Sequence, residues 1–185
     1  MRIFLIGYMG SGKSSIGPAV AQELGLRFVD LDKAIEERFG KDITTIFQGE
    51  GEAHFRELEQ QMLHEWLEQD DYVMATGGGT PCHADNMDRM CDAGITIYLK
   101  LSTETLYDRL KLDLANRPLL QGRADHELFN YIHDTLLERE PYYLDSQYRV
   151  KAKDLKASEL AEFIRLFELK EDEPEVSEEP SSEEN

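Results

Sequence analysis

The sequence predicts a single α/β domain, and three observations support this prediction. Short apolar, β-prone runs alternate along the chain with longer segments whose apolar residues recur at helical spacing. A glycine-rich segment follows directly on the first apolar run, at the end of a strand, where an α/β sheet places its ligand. The chain has 185 residues, of which 41% are hydrophobic and 31% charged, as expected of a soluble domain with a substantial core.

The glycine-rich segment at residues 7–14 reads GYMGSGKS and fits the phosphate-binding pattern G-x-x-x-x-G-K-[ST]. It lies between a predicted strand at 3–6 and a predicted helix at 14–24, so a chance glycine-rich turn is disfavoured. Glycines let backbone N–H groups and the positive end of the helix point at an anion. Lys13 is expected to reach the β- and γ-phosphates, and the Ser14 hydroxyl to bind Mg²⁺. The residues expected around the phosphates are Gly10, Ser11, Gly12, Lys13, Ser14 and Ser15.

Two carboxylates stand at the end of the next predicted strand, residues 27–32. Asp30 and Asp32 point to the same side if strand geometry continues, so both would face the phosphate-binding loop. The alternative is that one or both cap the helix that begins near Lys33. We favour a functional role, because ligands collect at the carboxyl ends of strands in open α/β sheets.

Three further helices are expected before the next strand. The first ends at Gly40, and Asp42 caps the second. Gly49 and Gly51 then form a break, after which residues 52–67 form a long amphipathic helix.

Arg56 lies near the start of this long helix, three residues before Glu59, where the two side chains can touch. From this spacing alone, a solvated surface ion pair is the favoured interpretation of Arg56.

Three consecutive glycines, Gly77, Gly78 and Gly79, follow the apolar strand predicted at 72–76. Glycines after a buried strand indicate a place where the backbone must approach something closely. A flexible turn is the alternative, and it is less favoured because a strand end is again involved.

The remainder of the chain continues the alternation of helices and strands. The segment 111–125 contains Arg117 and Arg123 and is interrupted by proline and glycine. It is either a lid that brings a cation to a transferring phosphoryl group or a surface loop with two solvated arginines, and the sequence favours neither. The other predicted elements are a helix at 86–91 closed by Gly94, a strand at 95–99, a helix from Thr103 capped by Ser102, a helix at 126–139 ended by Pro141, a strand at 148–152 and a last helix capped by Ser158 and ending near 169.

The composition limits the location and the partners. The formal net charge of −18 argues against a nucleic acid or an anionic membrane as partner, because both require a basic surface. No signal peptide or membrane-spanning run is recognised, so a cytoplasmic location is expected. Cys82 and Cys91 match no metal-ligand or disulfide pattern and are expected to be reduced thiols. The predicted organisation is one domain over residues 1–169, followed by a disordered acidic tail at 170–185.

Together these segments resemble the shikimate kinase family, and the resemblance spans nearly the whole chain up to the acidic tail. Only the first segment is specific by itself, but the order and the distances make the set highly specific. The matching segments are Gly7-x-Met9-Gly10-Ser11-Gly12-Lys13-Ser14 with Gly17, Phe28-x-Asp30-x-Asp32, the stretch from Ile46 to Glu59 with Gly49, Glu50, Phe55 and Arg56, Thr76-Gly77-Gly78-Gly79, Arg117-Pro118-Leu119-Leu120 and Arg139-x-Pro141-x-Tyr143.

The resemblance implies a P-loop NTPase fold of the nucleoside-monophosphate-kinase type, with a five-stranded parallel sheet flanked by helices. It also implies ATP-dependent phosphorylation of the 3-hydroxyl of shikimate, which gives shikimate 3-phosphate and ADP on the route to chorismate and aromatic amino acids. Mg²⁺ is the implied cofactor and shikimate and ATP are the implied partners, while nothing in the pattern requires more than a monomer. Residues 31–60 would form the acceptor-binding region and residues 111–125 the lid of this kinase domain.

The family's site roles carry over to the matching positions of this chain. Asp32 would hold the shikimate hydroxyls and accept the proton of the attacking one, while Arg56 and Arg139 would grip the carboxylate. Glu59 would orient Arg56, which reverses the interpretation made from spacing alone. Backbone N–H groups of Gly77, Gly78 and Gly79 would approach the substrate, and residues 10–15 would bind ATP. Lys13 and the lid residue Arg117 would contact the transferring phosphates. Ser14 would bind Mg²⁺ directly, and Asp30 would bind it through water.

This chain also departs from the family pattern. Ser15 stands where threonine is frequent, and Gln147 stands where alanine is frequent, so the segment before the last strand is expected to pack differently. The expected adenine-binding loop, near residues 153–157, matches no strong pattern.

Three other functions were weighed against this resemblance. A gluconate kinase of the same fold would need a different acceptor site. A non-catalytic relative would be expected to have lost Lys13, Asp32 or an arginine, all of which are present. A GTPase is disfavoured, because neither a D-x-x-G segment after a strand nor an N-K-x-D segment is found.

Overall fold

The computed structural model describes residues 1–114, 120 and 123–171 of the chain. The predictions for Arg117, for residues 115–119, 121 and 122 of the proposed lid and for the acidic tail beyond residue 171 lie outside these described residues.

Strands and helices alternate along the chain, which confirms the predicted α/β class. A short 3₁₀ helix, Thr80–Cys82, follows the three glycines. The strands are β1 (Arg2–Ile6), β2 (Arg27–Asp30), β3 (Tyr72–Ala75), β4 (Ile95–Lys100) and β5 (Tyr148–Lys151), and the helices are α1 (Lys13–Leu24), α2 (Leu31–Phe39), α3 (Ile43–Leu67), α4 (Asn86–Ala93), α5 (Thr103–Leu112), α6 (Asp125–Leu144) and α7 (Ala157–Glu171).

The strands form one parallel sheet in the order β2-β3-β1-β4-β5. β1 is the central strand, and Ile3, Phe4, Leu5 and Ile6 are all 0% exposed. Such an uninterrupted apolar run suits a strand that is covered by helices on both faces. Because all pairs are parallel, the carboxyl ends of the strands meet at one edge of the sheet, and the segments that leave this edge can form a common site.

β2 is shorter than the sequence predicted, because α2 begins at Leu31 rather than near Lys33. The Asp30 side chain caps α2 by accepting a hydrogen bond from the Lys33 N–H, at 3.3 Å. Asp32 therefore lies in the first turn of a helix, and the strand alternation expected for the two carboxylates is wrong.

α3 begins after Asp42, whose carboxylate accepts from the Thr45 N–H at 2.7 Å, as predicted. Its two halves meet at Gly51, which has non-helical φ and ψ angles of 85° and 168°. The predicted break is confirmed at Gly51, whereas Gly49 lies within the first half.

The prediction that Pro141 ends a helix is wrong, because α6 continues through it to Leu144. A proline within a helix leaves the carbonyl four residues earlier without its N–H donor. That carbonyl belongs to Leu137, which is 65% exposed, so solvent can take the place of the missing donor.

Ser102 caps α5 and Gly94 closes α4, as predicted. Ser158 does not cap α7, because the helix already begins at Ala157. At this end the Lys156 N–H donates instead to the Glu159 carboxylate, at 3.3 Å.

Gln147 ties the segment before β5 to the start of β4. Its N–H donates to Thr96 Oγ1 at 3.0 Å, and its side-chain oxygen accepts from the Thr96 N–H at 3.2 Å. Its amide nitrogen donates to the Cys91 carbonyl at 3.2 Å. These three bonds satisfy backbone groups at the edge of the sheet opposite the carboxyl ends of the strands.

Within the described ranges, no helix is both long and apolar enough to cross a membrane.

Candidate active site

The phosphate-binding loop connects β1 to α1 at the carboxyl edge of the sheet. Gly10 and Gly12 have φ angles of +79° and +105°, which a side chain would strain, so the glycines of the pattern are needed here. Lys13 is 7% exposed, and its Nζ donates to the carbonyl oxygens of Gly7 at 2.6 Å and Tyr8 at 3.0 Å. The ammonium group is therefore held against its own loop, facing the space that the loop surrounds.

A cavity of about 510 Å³ opens in front of this loop. It brings together the six predicted phosphate-loop residues, both carboxylates of the β2–α2 junction and one of the three glycines. Its lining is formed by Met9, Gly10, Ser11, Gly12, Lys13, Ser14, Ser15, Ile16, Asp30, Asp32, Thr76, Gly78, Leu99, Arg109, Leu110, Asp113, Ala152, Asp154 and Leu155.

Asp32 carries the largest electrostatic perturbation among the predicted acceptor residues. The pKa of Asp32 is raised from 3.8 to about 6, chiefly by burial and additionally by the negative charges of Glu59 and Asp30, whereas Lys13 opposes the shift. A carboxyl whose pKa is near neutrality can both accept and release a proton under physiological conditions. Asp30 caps α2, which confirms the capping alternative for this residue, and it also lines the cavity.

Arg56 is not a solvated surface charge, because its side chain is 15% exposed and is held by two carboxylates. Its Nη1 donates to Glu59 Oε2 at 2.7 Å, and its Nη2 donates to Glu52 Oε1 at 3.0 Å. Glu59 is 0% exposed and also accepts from Thr80 Oγ1 at 2.6 Å. The predicted pairing of Arg56 with Glu59 is present, and it lies in the interior.

The three glycines bring the backbone close to these charged groups. A Cβ atom at Gly77 would lie 2.7 Å from Glu59 Oε1 and 3.0 Å from Asp32 Oδ1. A Cβ atom at Gly79 would lie 2.6 Å from Arg56 Nη1. The distances to Glu59 and Arg56 are below 3.0 Å, so a side chain at Gly77 or Gly79 would displace these groups. The close approach predicted from the sequence is therefore confirmed, and the flexible turn is not the reason for these glycines.

Arg139 reaches the same region from α6. Its guanidinium lies 5.9 Å from the centre of the Tyr8 ring, over the phosphate-binding loop. A Cβ atom at Gly78 would lie 3.5 Å from Arg139 Nη1. The Tyr143 hydroxyl donates to the Gly78 carbonyl and fixes this turn against α6. Arg56 and Arg139 thus approach the three glycines from different helices, although neither lines the 510 Å³ cavity itself.

Cys82 lies in the 3₁₀ helix that follows this turn. Burial raises the pKa of the Cys82 thiol to about 11, which keeps the thiol protonated at neutral pH although the arginines at positions 139 and 56 oppose the shift. Cys82 and Cys91 are both free thiols.

Sequence reasoning missed Arg109, which lines the cavity from α5. Its Nη1 donates to the Gly10 carbonyl at 3.2 Å and to the Ser11 carbonyl at 3.3 Å. These contacts join residues 99 and 98 positions apart, so no local spacing in the sequence indicates them. Ala152, Asp154 and Leu155 also line the cavity, close to the loop for which the sequence offered no pattern.

No cluster of three or more histidine, cysteine or acidic residues suited to a metal occurs in the part of the chain that the structure describes. Oxygen donors are nevertheless present at the cavity, where the exposed Ser14 and the Asp30 carboxylate both form part of its wall. Mg²⁺ prefers such hard oxygen ligands and usually keeps several waters when it binds nucleotide phosphates. The donor set therefore fits a nucleotide-bound Mg²⁺ better than a metal held by the protein alone.

The parallel sheet and the loop with its buried lysine define a P-loop phosphotransferase, and charged groups lie beside the three glycines at the same edge of the sheet. Residues 9–167 match the family model described as shikimate kinase. The chain belongs to the shikimate kinase family, whose fold is the nucleoside-monophosphate-kinase-like P-loop fold predicted from the sequence.

Individual relatives agree with this assignment. The chain is 48% identical over 154 residues to the shikimate kinase of Phocaeicola vulgatus, which covers 83% of this chain and 88% of that protein. The crystal structure of shikimate kinase from Bacteroides thetaiotaomicron superposes with a TM-score of 0.84 at 43% identity, over 92% of this chain and 98% of that one. Shikimate kinase from Acinetobacter baumannii in complex with shikimate gives a TM-score of 0.82 at 34% identity, over 94% of this chain and 95% of that one.

Proposed function

We propose that the site of this chain has an ATP half and an acceptor half, which meet at Asp32. As a member of its family the chain is an enzyme that phosphorylates shikimate with ATP. The observation that carries the division is the place of the Asp32 carboxylate, which lines the phosphate-loop cavity and lies beside Glu59 at Gly77. A base in that position can serve an acceptor hydroxyl while the phosphate loop holds the donor.

In the ATP half, backbone N–H groups of residues 10–15 bind the phosphates at the start of α1. Lys13 exchanges its bonds to the Gly7 and Tyr8 carbonyls for phosphate oxygens, since the same Nζ is already held at the centre of the loop. Arg117, which lies outside the described residues, is proposed to add a second cation from the lid.

We assign the Mg²⁺ that accompanies ATP to Ser14 directly and to Asp30 through water. Bound there, the ion would neutralise charge on the phosphates. The Asp30 carboxylate accepts one backbone hydrogen bond at its cap position, which fixes its direction at the edge of the cavity.

We assign the adenine to the part of the cavity wall formed by Arg109, Asp113, Ala152, Asp154 and Leu155. The planar guanidinium of Arg109 is a suitable stacking partner for a base. Its bonds to the Gly10 and Ser11 carbonyls tie that stacking partner to the phosphate-binding loop.

In the acceptor half, Arg56 and Arg139 bind the shikimate carboxylate and the three glycines approach its ring. Guanidinium groups suit this role, because they match a carboxylate with two parallel hydrogen bonds. Asp32 accepts a hydrogen bond from the attacking 3-hydroxyl and takes its proton as the O–P bond forms. The γ-phosphoryl group passes to the 3-hydroxyl oxygen, and ADP leaves from the phosphate loop.

The roles of the two halves are tested by ADP release with Mg·ATP in the presence of shikimate, gluconate, a nucleoside monophosphate or no acceptor. We expect turnover with shikimate alone, loss of turnover on chelation of Mg²⁺, and phosphorus–proton coupling that places the phosphate on the 3-hydroxyl of the product. Faster turnover with gluconate or with a nucleoside monophosphate would contradict the assignment of the acceptor half.

We further propose that the enzyme acts as a monomer and without nucleic acid, and that it does so in the cytoplasm, where its co-substrate ATP is made. The net charge of −18 supports the absence of a polyanionic partner. Light scattering coupled to gel filtration tests the monomer, and a mass of twice 21.3 kDa would contradict it.

A further inference from the structure

A buried series of hydrogen bonds connects Arg56 to the interior of the protein. Arg56 Nη1 donates to Glu59 Oε2 at 2.7 Å, and Thr80 Oγ1 donates to Glu59 Oε1 at 2.6 Å. The Thr80 carbonyl in turn accepts from Asn86 Nδ2 at 3.0 Å. Glu59, Thr80 and Asn86 are each 0% exposed, so solvent does not compete for these bonds.

The two oxygens of Glu59 are held by different partners, and this determines the plane of its carboxylate. A carboxylate bonded to Arg56 through Oε2 alone could still rotate about its last side-chain bond. The Thr80 hydroxyl holds Oε1 at a charge-assisted distance and removes that freedom. The direction in which Glu59 holds the Arg56 guanidinium therefore depends on Thr80.

The Thr80 hydroxyl is not used for local structure. A threonine at the start of a helix often bonds to a nearby backbone N–H, but the Thr80 hydroxyl bonds to a side chain 21 residues away. The backbone at Gly79 is close enough to Arg56 that an added Cβ atom would lie 2.6 Å from Nη1. The Arg56 guanidinium therefore packs against the Gly79 backbone on one side and is held by the Glu59 carboxylate on the other.

We infer that Thr80 is a positioning residue for acceptor binding, which acts through Glu59 to aim Arg56 at the shikimate carboxylate. The inference rests on the proposed role of Arg56 and adds a residue to which neither the sequence pattern nor that role assigned a function. A preorganised arginine loses less freedom on binding an anion than a mobile one, so the expected effect is on affinity for shikimate.

Thr80 also lies close to the proposed base. A Cβ atom at Gly77 would lie 2.8 Å from Thr80 Oγ1 and 3.0 Å from Asp32 Oδ1. The Thr80 hydroxyl holds the Glu59 carboxylate in place, and the Glu59 charge is among the causes that raise the pKa of Asp32. Through Glu59, the Thr80 hydroxyl is therefore connected to Arg56, which is assigned to the substrate carboxylate, and to Asp32, which is assigned to the attacking hydroxyl.

The test compares Thr80→Val, which removes the hydroxyl at nearly constant volume, with Thr80→Ser, which retains it. Loss of a buried hydrogen bond to a charged group predicts an increase of about ten-fold or more in the KM for shikimate. We expect kcat and the KM for ATP to stay within about three-fold, because the phosphate loop is not altered. Thr80→Ser is expected to restore the KM for shikimate, and Thr80→Ala replaces the valine variant should that protein not fold.

Thr96→Val is the matched control. Thr96 is also 0% exposed and hydrogen-bonded through its side chain, but it lies at the start of β4, at the opposite edge of the sheet. This variant is expected to lower the melting temperature without changing the KM for shikimate. A Thr80→Val variant that keeps the KM for shikimate unchanged, as expected of Thr96→Val, would overturn the inference. A Thr80→Ser variant with a KM for shikimate as high as that of Thr80→Val would also overturn it.

A double-mutant cycle separates this inference from the role of Arg56. In an Arg56→Ala background the Thr80→Val change should have no further effect on shikimate affinity measured by calorimetry. If Arg56→Ala weakens binding and Thr80→Val in the unaltered chain does not, the inference fails while the role of Arg56 stands. If Arg56→Ala itself leaves the affinity unchanged, the role of Arg56 fails, and the inference fails with it.

Discussion

At the scale of single residues, Asp32 is held in an environment that suits its proposed chemistry and opposes its charge. We predict that Asp32→Asn lowers kcat with shikimate by at least about 100-fold, because the amide cannot accept the proton of the attacking hydroxyl. The dissociation constant for ATP should change little, since the phosphate loop is intact. Steady-state kinetics and calorimetry with ATP measure the two effects, and a variant with comparable turnover would exclude Asp32 as the base.

The same variant has a predicted effect on stability with a defined sign. The folded-state pKa of Asp32 is about 6, above its ordinary value of 3.8, so the folded state favours the protonated form. Stability from this group is therefore greatest below about pH 4 and is lost as the pH rises to about 6. At pH 7.5 Asp32→Asn should be more stable than the unaltered chain by about 1–3 kcal/mol, and the difference should shrink on acidification. Urea unfolding of both proteins at pH 7.5 and at about pH 4 tests this. A stability difference that stays the same at the two pH values would contradict the raised pKa of Asp32.

Arg56 is a second residue whose role is separable by mutation. Arg56→Ala removes one of the two proposed carboxylate ligands, and we expect the affinity for shikimate to fall by about 100-fold while the affinity for ATP is kept. Arg89→Ala is the control, because Arg89 also forms an i,i+4 ion pair but on the surface, with 49% of its side chain exposed. Calorimetry with each ligand provides the measurement. Equal shikimate affinities for the two variants would contradict the role of Arg56.

At the scale of elements, the turn after β3 is built so that glycine is needed for space rather than for backbone conformation. Gly79 has φ −96° and ψ −14°, which any residue can adopt, yet an added Cβ atom would overlap the Arg56 guanidinium. We predict that Gly79→Ala raises the KM for shikimate by about ten-fold or more through displacement of Arg56. Gly49→Ala is the control, since nothing lies within 4 Å of a Cβ atom there. A KM for Gly79→Ala equal to that of the control would show that Arg56 can move without cost.

The elements also show where sequence reasoning succeeds and why it stops. Local signals predicted the phosphate loop, the cap at Asp42 and the break at Gly51, because each depends on a few neighbouring residues. The same reasoning placed Asp32 in a strand and ended α6 at Pro141, because neither the choice of Asp30 as the cap of α2 nor the solvent exposure at Leu137 follows from local sequence.

Contacts between distant segments were beyond local reasoning. The bond from Thr80 to Glu59 and the bonds from Arg109 to the phosphate loop join elements that meet only when the sheet forms. The resemblance to a family supplied the proposed role of Arg56, whose interpretation as a solvated surface charge from spacing alone is wrong. The parts of the site that depend on tertiary packing are therefore those that the sequence left unassigned.

At the scale of the whole molecule, the parallel sheet brings five strand ends to one edge, and charged groups from several separate helices lie there. Asp32 comes from α2, Arg56 from α3 and Arg139 from α6, while Lys13 begins α1. None of these helices belongs to the acidic end of the chain. The core likewise ends within α7, where Leu160 and Ile164 are buried at 1% and 0% exposure.

The acidic segment beyond residue 171 is therefore predicted to be dispensable for catalysis. Residues 172–185 contain seven acidic residues and a single large apolar one, Val176, so they offer little that could stabilise the core. We expect truncation after Glu171 to leave kcat, both KM values and the midpoint of urea unfolding unchanged, while solubility near the isoelectric point falls with the loss of charge. Kinetics, urea unfolding and precipitation assays on the two chains check this. A KM for ATP or shikimate that shifts by more than about three-fold would instead mean that the acidic segment reaches the site through its charge.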